Sequence, residues 1–245
     1  MISTDWLRSG RRVKVLVGHY GSGKTELAVN MALALRKSAP VMLVDLDIVN
    51  PFFRSAEVKP LLAEHGVEIV YPAYALSGVD IPILPAEVER AFTADGFSVF
   101  DVGGDDDGAV ALGRYHAQFA ACPADVYFVV NPFRPRTAEV AQALRLMEAV
   151  ERRARLAITG LAVNANLGAE TSAEELLAGR AFIERLAEKS GLPVAFEAGL
   201  ESVLEALPER WPRLPIRRYL TPESVSYTHL RARGGRSPPW ASCAV

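Results

Sequence analysis

Seven short, almost wholly apolar runs recur along the 245-residue chain, at 13–17, 41–44, 67–70, 97–100, 126–130, 156–163 and 193–196. Between them, residues 25–36, 56–65, 86–92, 109–120, 137–152 and 173–188 carry apolar residues at helical spacing, as in the stripe Leu27, Ala28, Met31, Ala32, Leu35. A strand that is apolar throughout is buried on both faces. Alternation of such strands with helices specifies an α/β fold, with a mostly parallel seven-stranded sheet and helices on both faces. No internal repeat and no Gly/Ser-rich linker divides the chain, so one domain is expected over residues 1–222.

Charge and cysteine content narrow the class. The 27 Lys+Arg and 29 Asp+Glu leave a net charge of −2, which excludes a strongly basic nucleic-acid binder; no nucleic-acid partner is expected. The apolar runs fall far short of the ~20 residues a membrane helix needs. The first residues carry Asp5 and no apolar run of the signal-peptide kind. The two cysteines, Cys122 and Cys243, form neither a metal spacing nor a disulfide framework, which suits a reducing cytoplasm. Beyond residue 209, Pro212, Pro215 and Pro222 alternate with arginines and leave neither helical nor strand periodicity. They also break any amphipathic C-terminal membrane helix. Residues 223–245 are expected to be a disordered or artefactual tail, because Ser226-Tyr227-Thr228-His229-Leu230-Arg231-Ala232 resembles translated adapter read-through.

The chemistry concentrates between the first strand and the first long helix. Gly18-His19-Tyr20-Gly21-Ser22-Gly23-Lys24-Thr25 fits G-x-x-x-x-G-K-[ST] in full. Such a loop wraps its backbone N–H groups around a phosphate, and the helix N-terminus that follows favours an anion. Lys24 would reach the β- and γ-phosphates, and the Thr25 hydroxyl would ligate Mg²⁺. Carboxylates to complete the site stand at strand ends. Asp45-Leu46-Asp47 closes the second strand. Asp101-Val102-Gly103-Gly104 closes the fourth and fits D-x-x-G, in which the Asp serves the metal and the Gly104 N–H senses a γ-phosphate. Asp105, Asp106 and Asp107 read as a solvated turn capping the next helix, with a second metal as the alternative. Arg134 and Arg136, after the fifth strand, read either as a solvated turn with Thr137 capping the helix or as phosphate or partner contacts.

These residues resemble the SIMIBI class of P-loop NTPases, in the CobQ/CobB and MinD/ParA/Mrp nucleotide-binding group. The resemblance covers roughly residues 13–198. It rests on the loop, on Val44-Asp45-Leu46-Asp47, on Asp101 with Gly103 and Gly104, and on Gly160-Leu161-Ala162-Val163-Asn164. More narrowly, Gly21-Ser22-Gly23-Lys24-Thr25-Glu26 and Asp45-Leu46-Asp47-Ile48-Val49-Asn50-Pro51 look like a bacterial subfamily of such ATP-binding proteins. The resemblance implies catalytic roles for Lys24, Asp47 and Asp101, with Asp47 orienting the attacking water. It implies Mg²⁺ at Thr25, Asp101 and, through water, Asp45. Nucleotide contacts would come from Gly18, Tyr20, Gly21, Ser22, Gly23, Lys24, Thr25, Glu26 and Gly104. Asn164 would contact the adenine, with Asn166 as the competing choice. No N-K-x-D guanine signature occurs, so ATP is expected over GTP. His19 stands where MinD-type loops carry a second lysine, and no paired-cysteine motif of the iron–sulfur carriers is present.

The expected function is Mg-dependent ATP binding with slow hydrolysis, switching an unidentified protein partner, with homodimerisation left open. One alternative is a small-molecule kinase or ligase of the CobQ/CobB type, with an acceptor pocket from Arg54 and residues 73–85. The other is a non-catalytic ATP-binding adaptor.

Overall fold

Residues 2–47, 55–70, 86–104, 106–134, 137–165 and 171–220 are described by a computed structural model. Their strands are β1 (Val13–Val17), β2 (Val41–Leu46), β3 (Val67–Val70), β4 (Phe97–Val102), β5 (Ala124–Val130), β6 (Gly160–Val163), β7 (Val194–Leu200) and β8 (Arg213–Ile216). They form one sheet in the order β3-β2-β4-β1-β5-β6-β7-β8, and every neighbouring pair is parallel. The helices are α1 (Trp6–Ser9), α2 (Lys24–Arg36), α3 (Ser55–Glu64), α4 (Ala86–Thr93), α5 (Asp106–Gly113), α6 (His116–Ala121), α7 (Val140–Ala154), α8 (Ala173–Ser190) and α9 (Glu201–Glu205).

Period-2 alternation sends side chains to two cores, one on each sheet face. Val13, Val15, Val17, Phe100 and Phe128 join α4 to α8 on one face. Leu16, Val99 and Val129 join Leu27, Met31 and Leu35 of α2, and Val58 and Leu62 of α3, on the other. The expected helices on both faces are therefore present. Phe92, Phe100 and Phe119 interlock α4, β4 and α6, with the Phe92 and Phe119 rings edge-on at 4.9 Å.

The sheet has eight strands where seven were expected. The additional strand, β8, falls in the proline-punctuated stretch. It lies at the sheet edge, where Pro215 lacks an N–H but needs no partner on its open side. Residues 109–120 form two helices, because Tyr115 turns inward to full burial against Phe92 and interrupts the first. The run 156–163 is a strand only from Gly160. At residue 159 the Thr side chain replaces a ladder contact, its Oγ1 accepting from the Val126 N–H at 2.8 Å. Thr137 does not cap α7: its hydroxyl donates to the Asn131 carbonyl at 2.6 Å, and the helix begins at Val140.

From β1 the chain winds toward β3; after β4 it crosses β1 to β5 and winds the other way. Ligands in open α/β sheets bind beyond the carboxyl ends of the strands at such a reversal. The ends of β1, β2, β4, β5 and β6 bound that crevice, and the loop of residues 18–23 starts from its centre.

Candidate phosphate-loop site

Gly23 is the N-cap of α2, with φ 91°, in the left-handed region. A Cβ there would also run into the Asn164 side-chain amide, so both conformation and space demand glycine. Gly23 has no side chain with which to cap the helix, and a helix N-terminus of this kind favours an anion. Lys24 is only 6% exposed, and its Nζ donates to the His19 carbonyl at 3.0 Å. The ammonium thus folds back along the loop instead of reaching into solvent. Ser22 N–H donates to the same carbonyl at 3.1 Å, closing the turn.

Neighbouring strand ends are fastened to this loop. Tyr20 N–H donates to the Gly104 carbonyl at 3.0 Å, and a Cβ on Gly104 would strike the Tyr20 backbone. Asn164, only 2% exposed at the end of β6, donates Nδ2 to the Ser22 carbonyl at 2.7 Å. Arg134, beyond β5, donates Nε to the Gly21 carbonyl at 3.1 Å. Asp101 pairs in register with Leu16 of β1 and with Asp45 of β2. It is buried, whereas Asp45 and Asp47 are half-buried. Asp45 Oδ1 accepts the Asp47 N–H at 2.9 Å, turning the chain just past the strand. Asp47 Oδ1 lies 3.2 Å from where a Gly103 Cβ would stand, so the D-x-D and D-x-x-G ends meet. Gly18, Tyr20, Gly21, Ser22, Gly23, Lys24, Thr25, Asp45, Asp47, Asp101, Gly104 and Asn164 therefore gather at one end of the sheet.

Glu26 is placed differently from the loop residues. Its carboxylate accepts the Tyr219 and Leu220 N–H groups at 2.7 and 3.1 Å. Burial pushes its carboxyl above the usual range, against the pull of those two hydrogen bonds. One turn on, Asn30 exchanges hydrogen bonds with the Arg217 backbone at 2.8 and 2.9 Å. The first turns of α2 thereby hold the segment that follows β8. Asn30 went unnoticed in the sequence; its signal was an amide inside an otherwise apolar helix. An open groove of about 820 Å³ flanks this junction, lined in part by Glu201, Glu205, Arg217, Arg218 and Leu220.

Asn166, Asp105, Arg136, Arg54, residues 48–53, residues 73–85, the tail 223–245 and the side chains of Asp106 and Asp107 lie outside the described residues. Cys122 is a half-buried free thiol. Among the described residues no helix is long and apolar enough to cross a membrane, and no group of three or more His, Cys, Asp or Glu is placed to hold a metal.

The residues fit a bound nucleotide by the free polarity they retain. Ser22 Oγ and Asn164 Oδ1 are buried without a hydrogen-bond partner among the described residues, beside a helix N-terminus whose N-cap is a glycine. Mg²⁺ in such sites uses one or two carboxylates together with substrate phosphates, so Thr25, Asp101 and Asp45 need not form a cage on their own.

The parallel sheet and its flanking helices are the α/β fold of P-loop NTPases. Solved structures sharing it include chloroplast FtsY from Physcomitrella patens, at TM-score 0.55 and 19% identity, covering 89% of this chain and 66% of that one. Cell division protein FtsY from Thermotoga maritima matches at 0.52 and 18%, covering 77% and 62%. Signal recognition particle 54 kDa protein from Aeropyrum pernix K1, in complex with GDP, matches at 0.50 and 19%, covering 75% and 40%. The chain thus spans between 40% and 66% of the lengths of these proteins. No family model matches the chain, and no curated protein does.

Proposed function

We propose that the chain binds Mg·ATP at residues 18–25 and hydrolyses it slowly, as a switch read by a protein partner. The observation that carries the reading is the loop itself. It has a helix N-terminus with glycine at the N-cap, Lys24 folded across it, and hydrogen bonds that fasten it to the residues just past β4 and β6. Charge stabilisation then falls to Lys24 and the α2 N-terminus. Thr25 and Asp101 would hold Mg²⁺, with Asp45 acting through water. Held there, the ion would supply positive charge to offset that of the phosphates. Asp47, beside Gly103, would orient the attacking water, and Gly104 N–H would sense the γ-phosphate.

ATP is favoured over GTP on two grounds. The sequence lacks N-K-x-D. Asn164 Oδ1 is a buried acceptor without a partner among the described residues. Adenine presents an amino donor where guanine presents an oxygen. The kinase or ligase alternative has one feature in its support, the groove between Glu201, Glu205, Arg217 and Arg218, which is polar enough to take a charged acceptor.

The test is calorimetric titration of the full chain with Mg·ATP and Mg·GTP, for wild type and Lys24→Ala. Wild type should prefer ATP. Lys24→Ala should weaken ATP about tenfold to a hundredfold, the worth of a charged hydrogen bond. Equal affinity for both nucleotides overturns the base assignment, and no binding of either overturns the site.

A further inference from the structure

Arg134, just past β5, presents to the phosphate loop a cation to which the proposed function gives no role. Its geometry is tightly set. Asn131 is buried, its Oδ1 accepts Phe133 N–H at 3.1 Å, and its carbonyl accepts Arg134 N–H at 3.1 Å and Thr137 Oγ1 at 2.6 Å. Thr137 is fully buried and returns its own N–H to the Arg134 carbonyl at 2.9 Å. These bonds hold Arg134 between two anchors and leave its side chain exposed. The guanidinium lies along Gly21, with Nε on the Gly21 carbonyl at 3.1 Å and Nε and Cζ 3.7 and 3.8 Å from where a Gly21 Cβ would stand.

That contact uses one of the five guanidinium N–H donors. Within the loop of residues 18–25, Lys24 is the only lysine or arginine, whereas a triphosphate brings several negative charges. A neutral carbonyl at the protein surface is a weak partner for a guanidinium. A phosphate accepts two parallel charge-assisted hydrogen bonds, each about twice as strong as a neutral one.

We propose that Arg134 is the second phosphate-binding cation of this site, engaging the terminal phosphate of a nucleoside triphosphate with its Nη donors while Lys24 serves the loop interior. Triphosphate is then distinguished from diphosphate by a residue outside the loop motif, delivered from the end of β5. This rests on the nucleotide-site reading above.

The experiment is calorimetry on the full chain with Mg²⁺ and either a non-hydrolysable ATP analogue or ADP, for wild type, Arg134→Ala and Arg134→Lys. Thermal melts of all three check the fold. Arg134→Ala should lose about tenfold or more in affinity for the triphosphate while its ADP affinity stays within about twofold of wild type. Arg134→Lys should recover part of that loss, because it keeps the charge but not the planar fork. Equal weakening of both nucleotides makes Arg134 a support of the loop backbone and overturns the proposal, as does no change in either. Those outcomes leave the nucleotide site standing. Wild type binding neither nucleotide overturns both.

Discussion

Asn164, at the end of β6, donates its side-chain amide to the carbonyl of Ser22 at 2.7 Å, across 142 residues of sequence. Both residues are buried, so no water can replace the bond. It fixes the half of the loop that leads into α2, and Gly23 must lack a side chain for the amide to reach it. Asn164→Ala strands the Ser22 carbonyl, at a cost of about 1–3 kcal/mol. Urea denaturation should show that loss. Calorimetry on the same variant should show the preference for ATP over GTP disappear, because the unpartnered Oδ1 goes with the side chain.

A second buried polar contact lies near the amino ends of the strands. Lys14 is 0% exposed within β1 and donates Nζ to Asp125 Oδ2 at 2.8 Å. The same oxygen accepts from Arg11 N–H at 2.9 Å and from the Tyr127 hydroxyl at 3.3 Å. Burial pulls the Lys14 amine below its ordinary value, and Asp125 opposes that shift. The two halves of the pair are therefore unequal. Asp125→Ala leaves an ammonium buried without its counter-charge and should cost about 3–5 kcal/mol in urea unfolding. Lys14→Met leaves Asp125 two donors and should cost clearly less. Because the folded state releases the Lys14 proton first, stability relative to Lys14→Met should rise as pH climbs through the folded pKa toward 10.5, the ordinary value. A smaller loss from Asp125→Ala than from Lys14→Met contradicts this account.

What the sequence disclosed, and what it hid, follows from the range of the forces involved. Val13–Val17 and, within Ala124–Val130, the run from Val126 were legible because a strand buried on both faces must be apolar almost throughout. The loop and the strand-end positions of Asp45 and Asp101 were legible because they are local patterns with a local mechanism. Strand β8 was hidden, since four residues containing Pro215 carry no periodicity and only the edge position makes them tolerable. Lys14 was hidden inside an apolar run, its partner 111 residues away. The contacts of Asn164 with Ser22, Tyr20 with Gly104, and Glu26 with residues 219–220 depend on strand order and register, which no local pattern encodes.

Glu26 gives a pH signature for the junction between α2 and the segment after β8. Its carboxyl is raised above 4.5, chiefly by burial. The folded state thus holds the proton better than the unfolded chain. The contribution of Glu26 to stability is fullest in acid and is lost as pH rises through its folded pKa. Glu26→Gln cannot titrate. The melting temperature of wild type minus that of Glu26→Gln should therefore fall as pH is raised from about 4.5 toward neutrality. A rising difference would mean that the two backbone hydrogen bonds outweigh burial, and the direction assigned to the shift would be wrong.

Hydrolysis is tested most sharply at Asp47. Its backbone is tied to Asp45 and its carboxylate rests against Gly103, so Asp47→Asn keeps the shape of the strand end. The amide cannot accept a proton, and a positioned acid–base group contributes about 10²–10⁴ in rate. Single-turnover hydrolysis with enzyme in excess should therefore collapse in Asp47→Asn while ATP stays bound. Asp101→Asn should act differently: with its role on the metal, it should raise the Mg²⁺ concentration needed for ATP binding. The wild-type rate is expected to be slow, as in nucleotide switches where a partner completes the site. The assay accordingly compares the variants with wild type over long single turnovers, with and without cell extract. Asp47→Asn hydrolysing at the wild-type rate removes Asp47 from the water-orienting role. Wild type that binds ATP yet never hydrolyses it, even with extract, moves the adaptor and transferase readings ahead of the switch.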